Sequence, residues 1–251
     1  MLILDRVCFS YEKNKILDNI TAEIGNGLTV ILGKNGSGKS TLLRIMAGHL
    51  KANGCTLDGV PVSLIPPRRR AKSIAYLAQN GYISADITVQ DAVLLGRYCY
   101  VGMLSAYSEA DKTAARNAIE ACGISHLADK SVLALSGGEL KMVLLACCLA
   151  QLEGESHLLL DEPTNDLDVR RQLELMRTVK QISASNTVVA VLHDIATAAN
   201  YADNIIVLKD GNIYASGTPQ AVLTPKTLKD VWHVDARLKK GTSGYYLDIV
   251  K

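Results

Sequence analysis

Several features that define particular classes of protein are missing from this sequence. Its six cysteines include no C-x-x-C pair, which disfavours both a zinc site and a small disulfide-stapled fold. The longest apolar run, Met142 to Leu152, is shorter than the roughly 20 residues that cross a bilayer. The formal net charge is only +2, so overall charge gives no indication of nucleic-acid binding. Free thiols then favour a cytosolic protein.

Basic residues are rarely clustered in this sequence. Arg68-Arg69-Arg70 is a tight run, and its position after Pro66-Pro67 favours a solvated loop over a nucleic-acid contact. The chain opens directly on the alternating pattern Leu2–Phe9, which indicates a strand and no signal peptide. We therefore expect no nucleic-acid partner, and any action at a membrane would require docking onto another protein.

Hydrophobic patterning indicates an α/β fold. Alternation over Leu2–Phe9 and Ile16–Ile24 predicts early strands that are buried on one face. The runs Leu28–Leu32, Leu158–Leu160 and Thr187–Leu192 are almost continuously apolar, as in strands that are buried on both faces. Because helical patterns separate these runs, a mostly parallel sheet is predicted.

The middle of the chain has a different character. Between residues 89 and 151 helix formers dominate, and Ser108 and Ser136 are suitable N-caps. We interpret 89–151 as a helical lobe inserted into one domain that spans 1–251, whose α/β core and C-terminal tail are 1–88 and 152–251. Toward the end, Ile205–Ala215 predicts a hairpin and Tyr245–Val250 a last strand.

A glycine-rich segment between a buried strand and a helix predicts a phosphate cradle. It fits G-x-x-x-x-G-K-[ST] at every position: Gly33, Lys34, Asn35, Gly36, Ser37, Gly38, Lys39 and Ser40, with Thr41 following. Glycines let successive N–H groups point inward, and the helix N-terminus adds its positive end. Lys39 is placed to reach the β- and γ-phosphates of ATP, and the Ser40 hydroxyl to join a Mg²⁺ shell.

Two acids follow a second buried strand. Leu158–Leu160 delivers Asp161 to the carboxyl end of a strand, where ligands bind in open α/β sheets. Asp161 is therefore predicted as a metal carboxylate. The next residue, Glu162, is predicted to orient or deprotonate the attacking water.

A third motif distinguishes one family of P-loop proteins from the others. Leu135-Ser136-Gly137-Gly138-Glu139, shortly before Asp161-Glu162-Pro163-Thr164, resembles the signature of ABC ATPases, and the resemblance covers nearly the whole chain. It implies a P-loop NTPase core with a mostly parallel sheet, an N-terminal antiparallel β part and an inserted helical lobe. It also implies ATP and Mg²⁺ as cofactors and ATP hydrolysis as the activity.

The resemblance implies further site residues. Tyr11 matches the aromatic residue that stacks on adenine, and Gln79 matches the glutamine that links the metal site to the helical lobe. Asp168 matches the loop that crosses between subunits, and His193 the switch histidine at the γ-phosphate. The implied set is then catalytic Lys39, Gln79, Glu162 and His193; metal ligands Ser40, Gln79 and Asp161; and nucleotide contacts from Tyr11, the segment Gly33 to Thr41, Ser136, Gly137, Gly138, Glu139 and Asp168.

The sequence departs from the family pattern around the signature. Glu139-Leu140-Lys141 replaces the commoner glutamine–arginine continuation, and Cys147 stands where an arginine is usual. The implied catalytic residues are nevertheless all present.

The resemblance implies a nucleotide-sandwich dimer, in which the signature of one chain completes the site of a second copy. It implies a polytopic membrane permease as partner, indirectly a substrate-binding protein, and a peripheral location at the cytoplasmic membrane face. Softer matches, including Gly96-Arg97 and Tyr214–Pro219, resemble importers of iron-siderophore, haem or cobalamin. The alternative is a soluble ABC ATPase of iron–sulfur cluster assembly or another non-transport role.

Overall fold

The computed structural model describes residues 1–102 and 105–249. The chain divides into two compact units, the first made of Met1–Ile65 with Ser183–Lys251 and the second of Pro66–Ile182. The helical lobe predicted at 89–151 falls in the second unit, apart from Met103 and Leu104, which lie outside the described residues. Its proposed boundaries stay a prediction.

Strands and helices alternate along most of the chain. In order, they are β1 (Leu2–Tyr11), β2 (Asn14–Ile24), β3 (Gly27–Gly33), α1 (Lys39–Met46), β4 (Cys55–Leu57), β5 (Val60–Pro61), α2 (Pro67–Ser73), β6 (Ile74–Leu77), α3 (Val89–Leu94), α4 (Glu109–Ala121), α5 (Gly137–Gln151), β7 (His157–Asp161), α6 (Val169–Ile182), β8 (Thr187–Val191), α7 (Ile195–Tyr201), β9 (Asn204–Lys209), β10 (Asn212–Gly217), α8 (Pro219–Val222), α9 (Pro225–Thr227), β11 (Ala236–Gly241) and β12 (Gly244–Ile249).

The first unit begins with an antiparallel sheet in the order β2-β1-β4-β5. Leu2, Leu4 and Val7 of β1 are fully buried, as the alternating pattern predicts. The same unit contains a second group of strands in the order β10-β9-β3-β8, in which β3 pairs in parallel with both β8 and β9. Leu28 and Val30–Leu32 of β3 have no exposed surface, so this strand is covered on both faces.

The second unit has a parallel pair of strands and most of the long helices. Strand β6 pairs with β7, whose residues are all buried. Helices α4 and α5 each begin with a capping box, at Ser108 and Ser136 respectively, where the serine hydroxyl and an acidic side chain three residues on satisfy each other's backbone amides. The predicted α/β class, with an antiparallel part and a helical part, is confirmed.

The C-terminal third contains two hairpins. Strands β9 and β10 are antiparallel, and the residues between them, Asp210 and Gly211, both have positive φ, as a tight two-residue turn requires. The predicted hairpin over Ile205–Ala215 is thus confirmed. Strand β12 matches the last predicted strand through Ile249, and Val250 lies outside the described residues.

The interpretation of Arg68–Arg70 as a loop is wrong. These residues form the first turns of α2, which begins at Pro67. Proline is favoured at the first helical position because its missing N–H would be unpaired there in any case. Arg68 Nε donates to the Cys99 carbonyl at 2.9 Å, so part of this basic run is bound within the second unit. Among the described residues, no helix combines the length and apolarity that crossing a membrane requires.

Candidate active site

The cradle in the first unit is the segment between β3 and α1. Gly33, Gly36 and Gly38 all have positive φ, which an L side chain rarely adopts. Gly33 also has no room for a side chain, because a Cβ there would lie 2.3 Å from the Leu208 carbonyl oxygen. Only glycine therefore allows this segment to curl against β9 and to turn its amides toward the concave side.

Lys39 is the first residue of α1 and is almost fully buried, with 5% exposure. Its Nζ donates to the carbonyl oxygens of Gly33 and Lys34, both at 2.9 Å. These bonds hold the ammonium inside the curl of the segment. The hydroxyl of Ser37 is also buried there and has no hydrogen-bond partner among the described residues.

The chemistry of this segment fits a nucleotide phosphate. A buried cation, a helix N-terminus and an unused buried hydroxyl all favour an anion that accepts several hydrogen bonds. Of the other predicted contacts in the first unit, Tyr11 is 42% exposed and packs edge-on against Phe9, with ring centroids 4.9 Å apart. His193 is exposed shortly beyond the end of β8.

The two acids predicted from the sequence end strand β7 in the second unit. Asp161 has no exposed surface, and it accepts a hydrogen bond from the Tyr76 hydroxyl at 3.1 Å. Carboxylate oxygen is the ligand type that Mg²⁺ prefers, and Mg²⁺ sites commonly use one or two carboxylates together with substrate phosphates. Among the described residues, no cluster of three or more His, Cys, Asp or Glu side chains is arranged to hold a metal.

Glu162 is held in a specific orientation. It is 8% exposed, and its backbone has a φ of 50°, in the left-handed region that non-glycine residues seldom adopt. Its Oε2 accepts a hydrogen bond from Gln79 Nε2 at 2.6 Å and another from the Asn165 side-chain amide. The structure therefore brings Gln79 and Glu162 together, and backbone strain at an acid of this kind is a common feature of functional sites.

The signature residues lie at the N-terminus of α5. Ser136 caps the helix, its N–H and hydroxyl both donating to Glu139 Oε2, at 2.8 and 2.6 Å. These bonds from Ser136 lower the pKa of Glu139, which is thereby fixed as an anion at the positive end of the helix. Ser136 and Gly137 are exposed. The motif thus presents a hydroxyl and helix-terminal amides to solvent.

Asp168 and the signature share one neighbour, Arg171. The Arg171 guanidinium lies 3.6 Å from Asp168 and 3.9 Å from Glu139. It also covers Gly138, where a Cβ would come within 2.7 Å of the arginine side chain. The loop before α6 and the start of α5 are therefore joined by a cation that the sequence analysis did not single out.

Three other residues at the site were also missed as functional candidates. Tyr76 and Asn165 were not singled out in the sequence, and Lys141 was noted only as part of a departure from the family pattern. Lys141 carries the one signal that could have been used. This lysine directly precedes the long apolar run that begins at Met142. A charge in such a position needs a partner, because the neighbouring residues are expected to be buried.

Comparison with known proteins gives matches over most of the chain. The family model described as ABC transporter matches residues 17–165. The ferric enterobactin transport ATP-binding protein FepC of Escherichia coli (strain K12) is 37% identical over 91% of this chain and 85% of its own length. The hemin import ATP-binding protein HmuV of Shewanella denitrificans is 36% identical over 94% and 95%. A solved dimeric cassette of a bacterial ABC transporter, 26% identical, superposes with a TM-score of 0.76 over 87% of this chain and 99% of that one.

The cradle and the α/β fold define a P-loop nucleotide-binding protein. The chain belongs to the ABC transporter family. It is an ATP-binding subunit of that family and hydrolyses ATP to power transport.

Proposed function

We propose that this chain drives the import of an iron-siderophore, haem or cobalamin through a polytopic membrane permease. The observation that carries the proposal is its identity of 36–37% to two ATP-binding proteins named for ferric enterobactin transport and hemin import, across more than nine-tenths of the chain. Neither of these relatives is named for iron–sulfur cluster assembly, so the soluble alternative gains no support from them.

The residue roles follow from the chemistry of each group. Lys39 and the amides of Gly33 to Thr41 hold the phosphates of ATP, and Tyr11 offers an exposed ring to adenine. Ser40, Gln79 and Asp161 are the proposed protein ligands of Mg²⁺. When bound, Mg²⁺ would neutralise charge on the phosphate oxygens.

Hydrolysis needs a base for the attacking water. Glu162 fits this role because it is nearly buried and because Gln79 and Asn165 both donate to the same carboxylate oxygen, Oε2. In this role the oriented carboxylate accepts the proton of the attacking water. His193 is proposed to contact the γ-phosphate.

A second copy of the chain completes the site. Gly137 offers an exposed backbone N–H and Ser136 an exposed hydroxyl at the N-terminus of α5, and Asp168 stands on the loop joined to them by Arg171. Fixed donors of this kind stabilise charge that develops on a transferred phosphoryl group. In the proposed dimer, Ser136, Gly137, Gly138, Glu139 and Asp168 of each chain face the nucleotide held by the other.

This arrangement sets the place of the subunit in the cell. The permease would hold it at the cytoplasmic face of the membrane as a peripheral protein, and a substrate-binding protein would deliver cargo to the permease. Binding of ATP closes the dimer and hydrolysis reopens it, so nucleotide biases a two-state element that the permease follows.

Uptake measurements test the proposed cargo. Cells that lack the chromosomal copy are complemented with wild-type chain or with Lys39→Ala, and uptake of a labelled ferric siderophore, haem and cobalamin is followed. We expect the wild type to restore uptake of one of the three, and Lys39→Ala to restore none because its phosphate-binding cation is missing. The cargo class would be contradicted if cells complemented with the wild-type chain took up none of the three compounds although the purified chain hydrolyses ATP.

A further inference from the structure

Lys141 is an unusual residue for its position. It lies one turn into α5 and is 9% exposed, while the neighbouring Met142 and Val143 are buried and apolar. A buried ammonium is costly unless it finds acceptors. Burial lowers the pKa of Lys141, and the carboxylates of Asp166, Asp161 and Glu162 act in the opposite direction.

The acceptor that Lys141 uses belongs to the candidate active site. Lys141 Nζ donates to the main-chain carbonyl oxygen of Gln79 at 2.8 Å. Gln79 in turn donates its side-chain amide to Glu162 Oε2 at 2.6 Å. One residue, Gln79, is thus held by its backbone to the signature helix and by its side chain to the proposed base, all within the second unit.

The two ends of this connection serve different nucleotides in the proposed dimer. Glu162 acts on the ATP that its own chain binds, whereas the N-terminus of α5 contacts the ATP of the partner. A rigid link between α5 and Glu162 inside one chain therefore runs from one nucleotide site to the other. Coupling of this kind requires a contiguous contact that both sites can bias.

We propose that Lys141 is a positioning residue that transmits the state of the signature helix, through Gln79, to the orientation of Glu162. The inference rests on the proposed two-chain site. In the single chain Lys141 already holds the Gln79 main chain, and the Gln79 amide already holds Glu162. A shift of α5 when it docks on the partner's nucleotide is therefore passed through these contacts to Glu162, so that each site responds to engagement of the opposite site.

Replacement of Lys141 by methionine tests this role. Methionine fills the space of the aliphatic stem but cannot donate, so the main-chain carbonyl of Gln79 loses this hydrogen bond. We expect kcat to fall by about tenfold, the order of one lost charged hydrogen bond, with ATP affinity within about twofold of wild type. The Hill coefficient for ATP is expected to fall toward one, and the melting temperature to fall by only a few degrees because a single hydrogen bond is lost.

Two further variants separate positioning from a general structural effect. Lys141→Arg keeps a buried donor of similar reach and should recover most of the kcat and the cooperativity. Lys112→Met removes an exposed lysine that pairs with Glu109 on α4, and it should leave all three readouts unchanged.

A double-mutant cycle tests the route through Gln79. Because the proposed effect passes through the Gln79 side chain to Glu162, adding Lys141→Met to Gln79→Ala should reduce kcat no further than Gln79→Ala alone. Full additivity of the two changes would place Lys141 on another route and overturn the proposal.

The outcomes also separate this proposal from the proposed function. If the wild type is cooperative but Lys141→Met keeps normal kcat and Hill coefficient, the role of Lys141 is overturned and the shared site stands. If the wild type has a Hill coefficient of one at every protein concentration, coupling between the two sites is overturned but the two-chain site is not, because a dimer with independent sites also gives a coefficient of one.

Discussion

At the scale of single residues, the site depends on side chains whose orientation is fixed by hydrogen bonds. Glu162 combines a left-handed backbone with two donors on one carboxylate oxygen, Gln79 and Asn165. Lys39 is similarly fixed by two carbonyl oxygens at 2.9 Å. Groups that are oriented before the reaction need not be reorganised during it, which is the main way that an active site lowers a barrier.

Glu162→Gln should separate nucleotide binding from hydrolysis. The amide keeps the size of the side chain but accepts no proton, so we expect turnover to fall by about 10²–10⁴-fold with ATP affinity nearly unchanged. Steady-state hydrolysis and nucleotide titration on the same preparation measure the two effects. Glu155→Gln, an exposed change shortly before β7, is the matched control and should behave as wild type. Near-normal turnover in Glu162→Gln would remove Glu162 from the role of base.

The residues that sequence reasoning found and missed differ in a physical way. The cradle from Gly33 to Ser40 is contiguous, so its geometry depends on local φ/ψ preferences and can be read from the order of residue types. Lys141 and Arg171 act through contacts with residues that are distant in sequence or on another element, and no local pattern specifies those partners. A lone lysine beside an apolar run indicates only that a partner exists.

At the scale of elements, the second unit is held together by a buried arginine. Arg97 is 3% exposed and donates to Asp111 of α4 and to the Ala150 carbonyl of α5, at 3.0 and 2.9 Å. Its guanidinium also stacks 3.8 Å from the centre of the Tyr100 ring. A third partner, Glu153, lies just beyond α5. One planar cation therefore joins α4, α5 and the segment that follows α5.

Arg97→Met should destabilise the protein strongly. It leaves the Asp111 carboxylate buried without its cation, and breaking a buried pair in this way costs about 3–5 kcal/mol of unfolding free energy. Denaturant unfolding monitored by circular dichroism measures the loss. Arg116→Met, an exposed change on the same helix α4, should shift the unfolding free energy by less than about 1 kcal/mol. Equal stability of the two variants would show that the Arg97 contacts carry no net stabilisation.

Element boundaries show where sequence patterns succeed and fail. Ser108 and Ser136 each precede an acidic residue by three positions, and both were identified correctly as helix starts. Arg68–Arg70 was interpreted as a solvated loop from its position after Pro66-Pro67. The second proline instead occupies the first position of α2, where its fixed φ is favourable, and the following arginines are helical.

At the scale of the whole molecule, each chain carries both parts of the proposed two-chain site. The first unit holds the phosphate cradle, and the second holds the acids of β7 and the exposed helix terminus at Ser136. The sequence predicted both parts because each is a short motif. The proposed link between α5 and Glu162 inside the second unit, by contrast, depends on a single side chain, Lys141, which no motif specifies.

The shared site is tested most directly by the ATPase rate of Ser136→Arg as protein concentration is varied. The arginine blocks docking of α5 on the partner's nucleotide but leaves the chain's own cradle intact. We predict normal ATP binding and hydrolysis at least about 10²-fold slower at all concentrations. Ser108→Arg, which removes the equivalent cap of α4 at a similar cost of about 1 kcal/mol in helix stability, should hydrolyse ATP as wild type does. Full hydrolysis by Ser136→Arg at every concentration would contradict a site completed by a second copy.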